Sequence, residues 1–194
     1  MAFEIYTGTA SSLNDIIDKM IEMWEFDESD TTSSVHTATY GNAVIKGQNQ
    51  ILFNGGTAVS PSSSIFSAGA TFHVIKSDTA IMATWLYSNY MPAIVVGTLT
   101  NTDGSTGKGV LFQDPNQSLY AVMGEETNSQ WSISSLIRTS DGVMQLVPYV
   151  SPVGGWYFDN CYWTIIDTSL VKQGKYIIGE DTFYIARRIA IKEE

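Results

Sequence analysis

The residues that could support catalysis are few, and they stand far apart in the sequence. His36 and His73 are the two histidines, and neither has a Cys, Asp or Glu at the spacing of a zinc site. The thiol of Cys161 would need a histidine brought to it by the fold before it could act as a nucleophile. The sequence has no Gly-x-Ser-x-Gly elbow and no phosphate-binding glycine loop. We therefore predict that the protein is not an enzyme and has no catalytic residue, no metal ligand and no cofactor.

Acidic residues offer a weaker signal for chemistry. The polar run 27–34 contains three acidic residues, Asp27, Glu28 and Asp30, but it lacks the glycine and the distal glutamate of an EF-hand loop. The adjacent glutamates 125–126, or Asp103 together with Asp114, would act on a sugar only if the fold held two carboxyl groups at the required separation. We interpret these residues as solvated loop positions.

Five aromatic side chains are concentrated in the eight residues 156–163. Aromatic residues at this density can form the core of a β domain, the centre of a subunit interface or a platform on which sugars stack. The platform hypothesis requires Trp156 and Tyr157 to be exposed. The sequence alone leaves the three explanations open.

Only the segment 12–26 has the periodicity of an α-helix. Its apolar residues recur at spacings of three and four and form one stripe, while Ser12 is suited to be the N-cap and Asp15 places a negative charge in the first turn. Since a helix this short is marginal in isolation, the stripe must dock either on the chain's own β body or on a neighbouring subunit. The stripe consists of Leu13, Ile16, Ile17, Met20, Ile21 and Trp24.

Nearly every other periodic segment has the pattern of a β-strand. Turn signals recur about every eight to twelve residues, which is typical of an antiparallel sandwich or barrel-like meander. We predict a mainly β fold with one N-terminal amphipathic helix, divided into residues 1–34 (strand, helix and acidic loop) and an antiparallel β domain over 35–194. The predicted strands cover residues 3–6, 35–40, 43–45, 50–53, 71–76, 80–87, 93–100, 109–112, 119–123, 131–138, 143–150, 162–166, 175–178 and 183–191.

Charge and composition narrow the classes of partner. The 194 residues carry a formal net charge of -10, which repels phosphate backbones and disfavours direct nucleic-acid binding. No stretch approaches the roughly 18 to 20 apolar residues that span a bilayer, so we expect no membrane insertion. Because the chain has a single cysteine, we expect no internal disulfide and synthesis in a reducing cytoplasm.

Residues 6–20 read Tyr-Thr-Gly-Thr-Ala-Ser-Ser-Leu-Asn-Asp-Ile-Ile-Asp-Lys-Met. This stretch resembles a pattern in structural proteins of tailed bacteriophages, where a Thr-Gly-Thr-Ala turn introduces a short helix of the type Leu-x-Asp-Leu-Leu-x-Lys-Leu before a β-rich body. The segments 175–179 and 183–188 resemble the end of such a protein. The chain departs from the pattern after the helix, where residues 24–27 stand in place of a Gly-Trp-Thr turn.

The resemblance implies a virion component of the tail, baseplate or head-to-tail region, made in the host cytoplasm and assembled as a symmetric oligomer. Its partners would be copies of itself and other virion proteins, and its interface candidates are the helix stripe together with Trp156 and Tyr157. The alternative is a host-receptor or carbohydrate-binding β domain, in which these two aromatic side chains stack on a surface glycan.

Overall fold

A computed structural model describes residues 2–24, 31–32, 37–40, 43–46, 50–53, 58–59, 66–87, 91–113, 119–123, 146–150, 156–164, 173–186 and 189–193. Over these residues the chain is mainly β with antiparallel pairing and one helix, which confirms the predicted fold class. The elements are β1 (Glu4–Ala10), α1 (Leu13–Trp24), β2 (Thr31–Thr32), β3 (Thr37–Tyr40), β4 (Ala43–Lys46), β5 (Gln50–Phe53), β6 (Ala58–Val59), β7 (Ala70–Lys76), β8 (Ala80–Trp85), β9 (Ala93–Asn101), β10 (Thr106–Gln113), β11 (Leu119–Met123), β12 (Leu146–Val150), β13 (Trp156–Thr164), β14 (Gly174–Ile178), β15 (Asp181–Ala186) and β16 (Ile189–Lys192).

The strands form two sheets. The larger sheet follows the order β1-β7-β8-β9-β13-β16-β15-β14, with β10 and β11 continuing from β9 and β12 pairing with β13. The smaller sheet contains β2 to β6 in chain order, and α1 contacts both β3 and β4 of that sheet. The chain between α1 and β7 therefore contributes a second, local sheet, whereas β1 joins the main sheet by pairing with β7.

Strand β8 lies at the centre of the core, because all six of its residues are buried. Successive side chains of a strand point to opposite faces, so Ile81, Ala83 and Trp85 pack toward α1. Ala80 and Met82 pack on the other face, in a cluster that contains residues of β15 and β16. A strand buried on both faces has the apolar composition that this segment shows.

Helix α1 docks on the chain's own sheet. Leu13, Ile16, Ile17 and Met20 are at most 2% exposed and share one cluster with apolar residues of β7, β8 and β9. Burying each of these side chains contributes about 1.5 to 3 kcal/mol to folding. The sequence leaves open whether the stripe docks on the chain's own β body or on a neighbouring subunit. These four residues dock on the chain's own core.

The start of α1 is fixed by a carboxylate that turns back on the preceding backbone. Asp15 accepts hydrogen bonds from the backbone N–H of Ser11 at 2.6 Å and of Ser12 at 3.1 Å. The helix begins at Leu13, so Ser12 is the N-cap residue that the sequence predicted, and Asp15 lies in the first turn. This bond satisfies N–H groups that have no partner inside the helix.

The first strand and the last strands meet on the face of the sheet opposite α1. Phe3 is buried there, with its ring 6.2 Å from that of Tyr184 and its backbone N–H donating to Oε1 of Glu193 at 2.8 Å. The ammonium group of Lys175 lies 5.4 Å from the centre of the Phe3 ring and 3.5 Å from the same carboxylate oxygen. Residues 2–24 therefore share both a sheet and a core with the rest of the protein.

Several strands differ from the sequence-based expectation: β2 and β6 were not predicted, β8 is shorter and β10 is longer than predicted, and three further differences concern how the chain is divided into strands. The first strand continues past the predicted residues 3–6 and through Gly8 to Ala10. The predicted strand 183–191 consists of two strands, β15 and β16, which pair with each other. The aromatic segment 156–163 lies within β13, whereas the sequence placed a strand at 162–166. The predicted strand 131–138 is outside the described residues.

Candidate functional site

Strand β1 has a largely exposed row of residues. Glu4, Ile5, Tyr6, Thr7 and Thr9 are exposed and Gly8 is half-buried, although β1 is paired with β7 along its whole length. Burial returns only at the two ends of this segment, where Phe3 and Ala10 enter the core. The strand therefore presents exposed backbone and side chains between two anchored ends.

Tyr6 links β1 to the helix above it. Its ring lies 5.5 Å from that of Phe72 on β7, and the ammonium group of Lys19 on α1 lies 4.3 Å from the ring centre. Lys19 also forms a 2.7 Å ion pair with Glu22, one turn further along α1. A cation over an aromatic face contributes about 0.5 to 1 kcal/mol at an exposed site.

A cleft of about 230 Å³ lies between β1 and α1. Two lysines and two glutamates surround it, and the remaining lining residues are apolar or aromatic. Glu4 and Lys76 lie opposite each other in the pairing of β1 with β7, so they provide one charge of each sign on the sheet side. The lining residues are Glu4, Ile5, Tyr6, Lys19, Glu22, Met23 and Lys76.

We call the exposed residues of β1 and the charged row of α1 beside them the β1 surface. Its members are Glu4, Ile5, Tyr6, Thr7, Thr9, Lys19 and Glu22. Ile5 and Tyr6 are 41% and 37% exposed, which makes them two of the exposed large apolar side chains of the described chain. The surface therefore combines exposed apolar and aromatic side chains with charges of both signs.

The predicted interface residues are placed as follows. Leu13, Ile16, Ile17 and Met20 lie in the core, and Met23 is buried with them. Ile21 and Trp24 are partly buried and pack against the same cluster. Trp156 and Tyr157 belong to β13, opposite Asn101 and Thr100 of β9, but their side chains are outside the described part of the structure. Their role as an interface or as a sugar platform stays a prediction.

The single histidine of the described chain has a structural contact. His73 Nδ1 and the hydroxyl of Thr7 are joined by a 2.9 Å hydrogen bond between β7 and β1. Burial of the ring lowers the pKa of His73 below its ordinary value. His36 is outside the described residues, and Cys161 lies in β13 opposite Ile191 of β16.

Asp103 has a conformational role in the turn between β9 and β10. The N–H and hydroxyl groups of Ser105 donate to Asp103 Oδ1 at 2.8 and 2.6 Å, and these bonds lower the pKa of the Asp103 carboxyl. Gly104 adopts φ +85°, which favours glycine. Strands β9 and β10 pair antiparallel across this turn and form a hairpin, which contains the predicted strands 93–100 and 109–112.

The other acidic candidates, 27–30, Asp114 and 125–126, lie outside the described residues. Over the part of the chain that the structure describes, no three His, Cys, Asp or Glu residues are grouped in a way that could hold a metal ion. Within the same part, no helix is long and apolar enough to cross a membrane.

The sequence analysis did not identify the β1 surface. The predicted strand 3–6 ended before Gly8, whereas β1 continues through this glycine to Ala10. Comparison of the chain with protein-family models, with curated proteins and with solved structures finds no match.

Proposed function

We propose that this chain is a structural subunit of a tailed-bacteriophage particle, in the tail, baseplate or head-to-tail region. It acts through contacts with copies of itself and with other virion proteins. The observation that carries the proposal is the exposed edge of β1, a strand that is anchored at both ends and open in its middle. An exposed strand edge presents unpaired backbone groups that another chain can bind.

The resemblance to phage structural proteins also supports a role of the β1 surface in assembly. The stretch 6–20, which resembles the phage pattern, covers most of β1, the cap and the first two turns of α1. These elements frame the β1 surface and pack on the core of the main sheet. A segment that is both a rigid part of the core and open at its edge suits permanent assembly.

The contacts of the ionisable groups are consistent with a structural role. His73 binds Thr7, Asp103 holds a turn, and Glu193 binds the backbone of Phe3. Each of these three groups joins neighbouring parts of the fold, and a subunit that acts by contact needs no further chemistry from them.

The proposal is tested by coexpressing the chain with the products of the genes that flank its own gene. We expect an assembly of defined stoichiometry by size exclusion with light scattering, and a symmetric particle by electron microscopy. The proposal is contradicted if the chain stays monomeric, both alone and in every such coexpression, at concentrations above about 10 μM.

A further inference from the structure

We propose that β1 pairs antiparallel with β1 of a second copy of this chain, so that the main sheets of two subunits continue into each other. The inference rests on the proposed role of the chain as an assembling subunit, and it names the strand and the partner. Among the residues that the structure describes, β1 pairs with β7 alone, at one end of the sheet order.

The strand lacks the features with which proteins ordinarily protect a sheet edge. These features are proline, a β-bulge, a very short strand and several charged side chains. β1 has seven residues in unbroken register with β7, it contains no proline, and Glu4 is its one charged residue. Its outer edge is therefore a regular template for another strand.

The sequence of β1 suits pairing with itself. A two-fold axis at Thr7 brings all seven residues into register, because Thr7 is the middle of the strand. This register places Glu4 opposite Ala10 and Ile5 opposite Thr9, so the two glutamates lie at opposite ends of the paired strands. Like charges directly opposite each other destabilise a pair of strands, and this register avoids them although each chain carries a net charge of -10.

The same register places Tyr6 of each copy opposite Gly8 of the other. Glycine has no side chain, so two aromatic rings can lie beside each other at the centre of the paired strands without collision. Each ring already lies over the glycine of its own strand. An aromatic ring that covers an edge glycine is a known means of stabilising a sheet and fixing its register.

The test compares two edge variants of the full chain. Thr7→Lys places two ammonium groups opposite each other at the axis. It also removes the exposed hydrogen bond between Thr7 and His73, but the exposed position of Thr7 leaves the core intact. The matched control is Ile177→Lys on β14, at the other end of the sheet order, where the side chain is 79% exposed. Light scattering across a dilution series gives the dimer dissociation constant for each protein, and circular dichroism checks the fold.

We expect Thr7→Lys to weaken dimerisation by at least about tenfold and Ile177→Lys to change it less than about twofold. A dimer that Thr7→Lys leaves unchanged overturns the pairing of β1 and leaves the proposed subunit role intact. If the chain is monomeric alone but assembles with a flanking gene product, a second copy is not the partner of β1. The proposed role of the chain as an assembling subunit then still stands.

Hydrogen exchange provides a second measurement that requires no variant. Pairing of β1 protects its outward N–H groups, so exchange in a peptide covering residues 4–10 should slow as the concentration of the chain rises. A peptide covering β8 is the control, because β8 is buried in one chain already. If β1 exchanges at the same rate in dimer and monomer, the proposal is wrong even where Thr7→Lys fails to fold.

Discussion

The ring of Tyr6 occupies the space that a side chain at Gly8 would need. A Cβ atom at Gly8 would lie 2.8 Å from both Cε1 and the hydroxyl oxygen of Tyr6, and 3.0 Å from Cε1 of Phe72. Tyr6 and Gly8 thus depend on each other, because both positions lie on the same face of β1 and the Tyr6 ring covers Gly8. The glycine that made the sequence look like a turn is instead required by an aromatic neighbour.

Gly8→Ala should therefore destabilise the protein by about 1 to 3 kcal/mol, since the new methyl group must displace the Tyr6 ring. The displaced ring loses its contacts with Phe72 and Lys19. In the background Tyr6→Ala, the same change should cost clearly less, because only the 3.0 Å approach to Phe72 Cε1 then remains. Urea unfolding of the four proteins gives the coupling energy, and purely additive effects would show that the ring does not depend on the glycine.

Ile17→Asp should unfold the protein, because Ile17 is 1% exposed within the cluster between α1 and the sheet. An unpaired carboxylate at such a position costs more than about 4 kcal/mol, which is a large part of the stability of a domain. Glu22→Gln is the control on the exposed side of the same helix, and losing its surface ion pair should cost less than about 0.5 kcal/mol. Retention of a cooperative thermal transition by Ile17→Asp would contradict this placement of the stripe.

The periodicity of α1 predicted its apolar face but not what that face would cover. The predicted stripe is buried at Leu13, Ile16, Ile17 and Met20. Near the end of the helix the buried residue is Met23, whereas Trp24, which was assigned to the stripe, is partly buried. Spacing alone cannot separate adjacent positions at the margin of a stripe that ends with the helix. The sheet that covers the stripe is formed by strands more than forty residues away in the chain, and periodicity carries no such pairing information.

The candidate site was missed for a related reason. Side-chain alternation indicates a strand, but whether that strand lies at the edge of a sheet depends on pairings that are set elsewhere in the chain. The pairing of β1 with β7 spans the whole of α1 and the smaller sheet. The glycine at position 8 added a misleading turn signal, because its role is to accommodate the Tyr6 ring.

Thr84→Val should stabilise the protein by about 1 kcal/mol. Thr84 is 0% exposed, and its hydroxyl oxygen has no hydrogen-bond partner in the part of the chain that the structure describes. Valine keeps the shape and removes the desolvated hydroxyl. Thr100→Val is the control of opposite sign, since the Thr100 hydroxyl donates to Asp159 Oδ2 at 3.0 Å and its loss leaves that carboxylate without the bond. Denaturant midpoints measure both, and destabilisation by Thr84→Val would indicate that the hydroxyl is satisfied.

Glu193 should make stability depend on pH in the acid range. The backbone N–H of Phe3, and to a smaller extent Lys175, lower the pKa of the Glu193 carboxyl in the folded protein. A carboxyl whose pKa is lowered by folding stabilises the protein above its ordinary pKa, and that contribution is lost as the pH falls through the folded pKa. Stability therefore decreases as the pH falls, because the unfolded chain binds the proton more readily than the folded protein does.

Glu193→Gln should accordingly reduce the free energy of unfolding at pH 7, by about 1 kcal/mol at most, because the carboxylate stays in partial contact with solvent. The difference between wild type and variant should shrink as the pH falls from the ordinary pKa of a glutamate toward the lowered folded pKa, below which the carboxyl is protonated in both states. Lys175→Met is the companion variant, and it should reproduce only part of the pH dependence, since the N–H of Phe3 is the main cause of the shift. Urea unfolding at several pH values measures the difference, and a difference that is constant from pH 7 to about pH 3 would show that the carboxylate does not bind the start of β1.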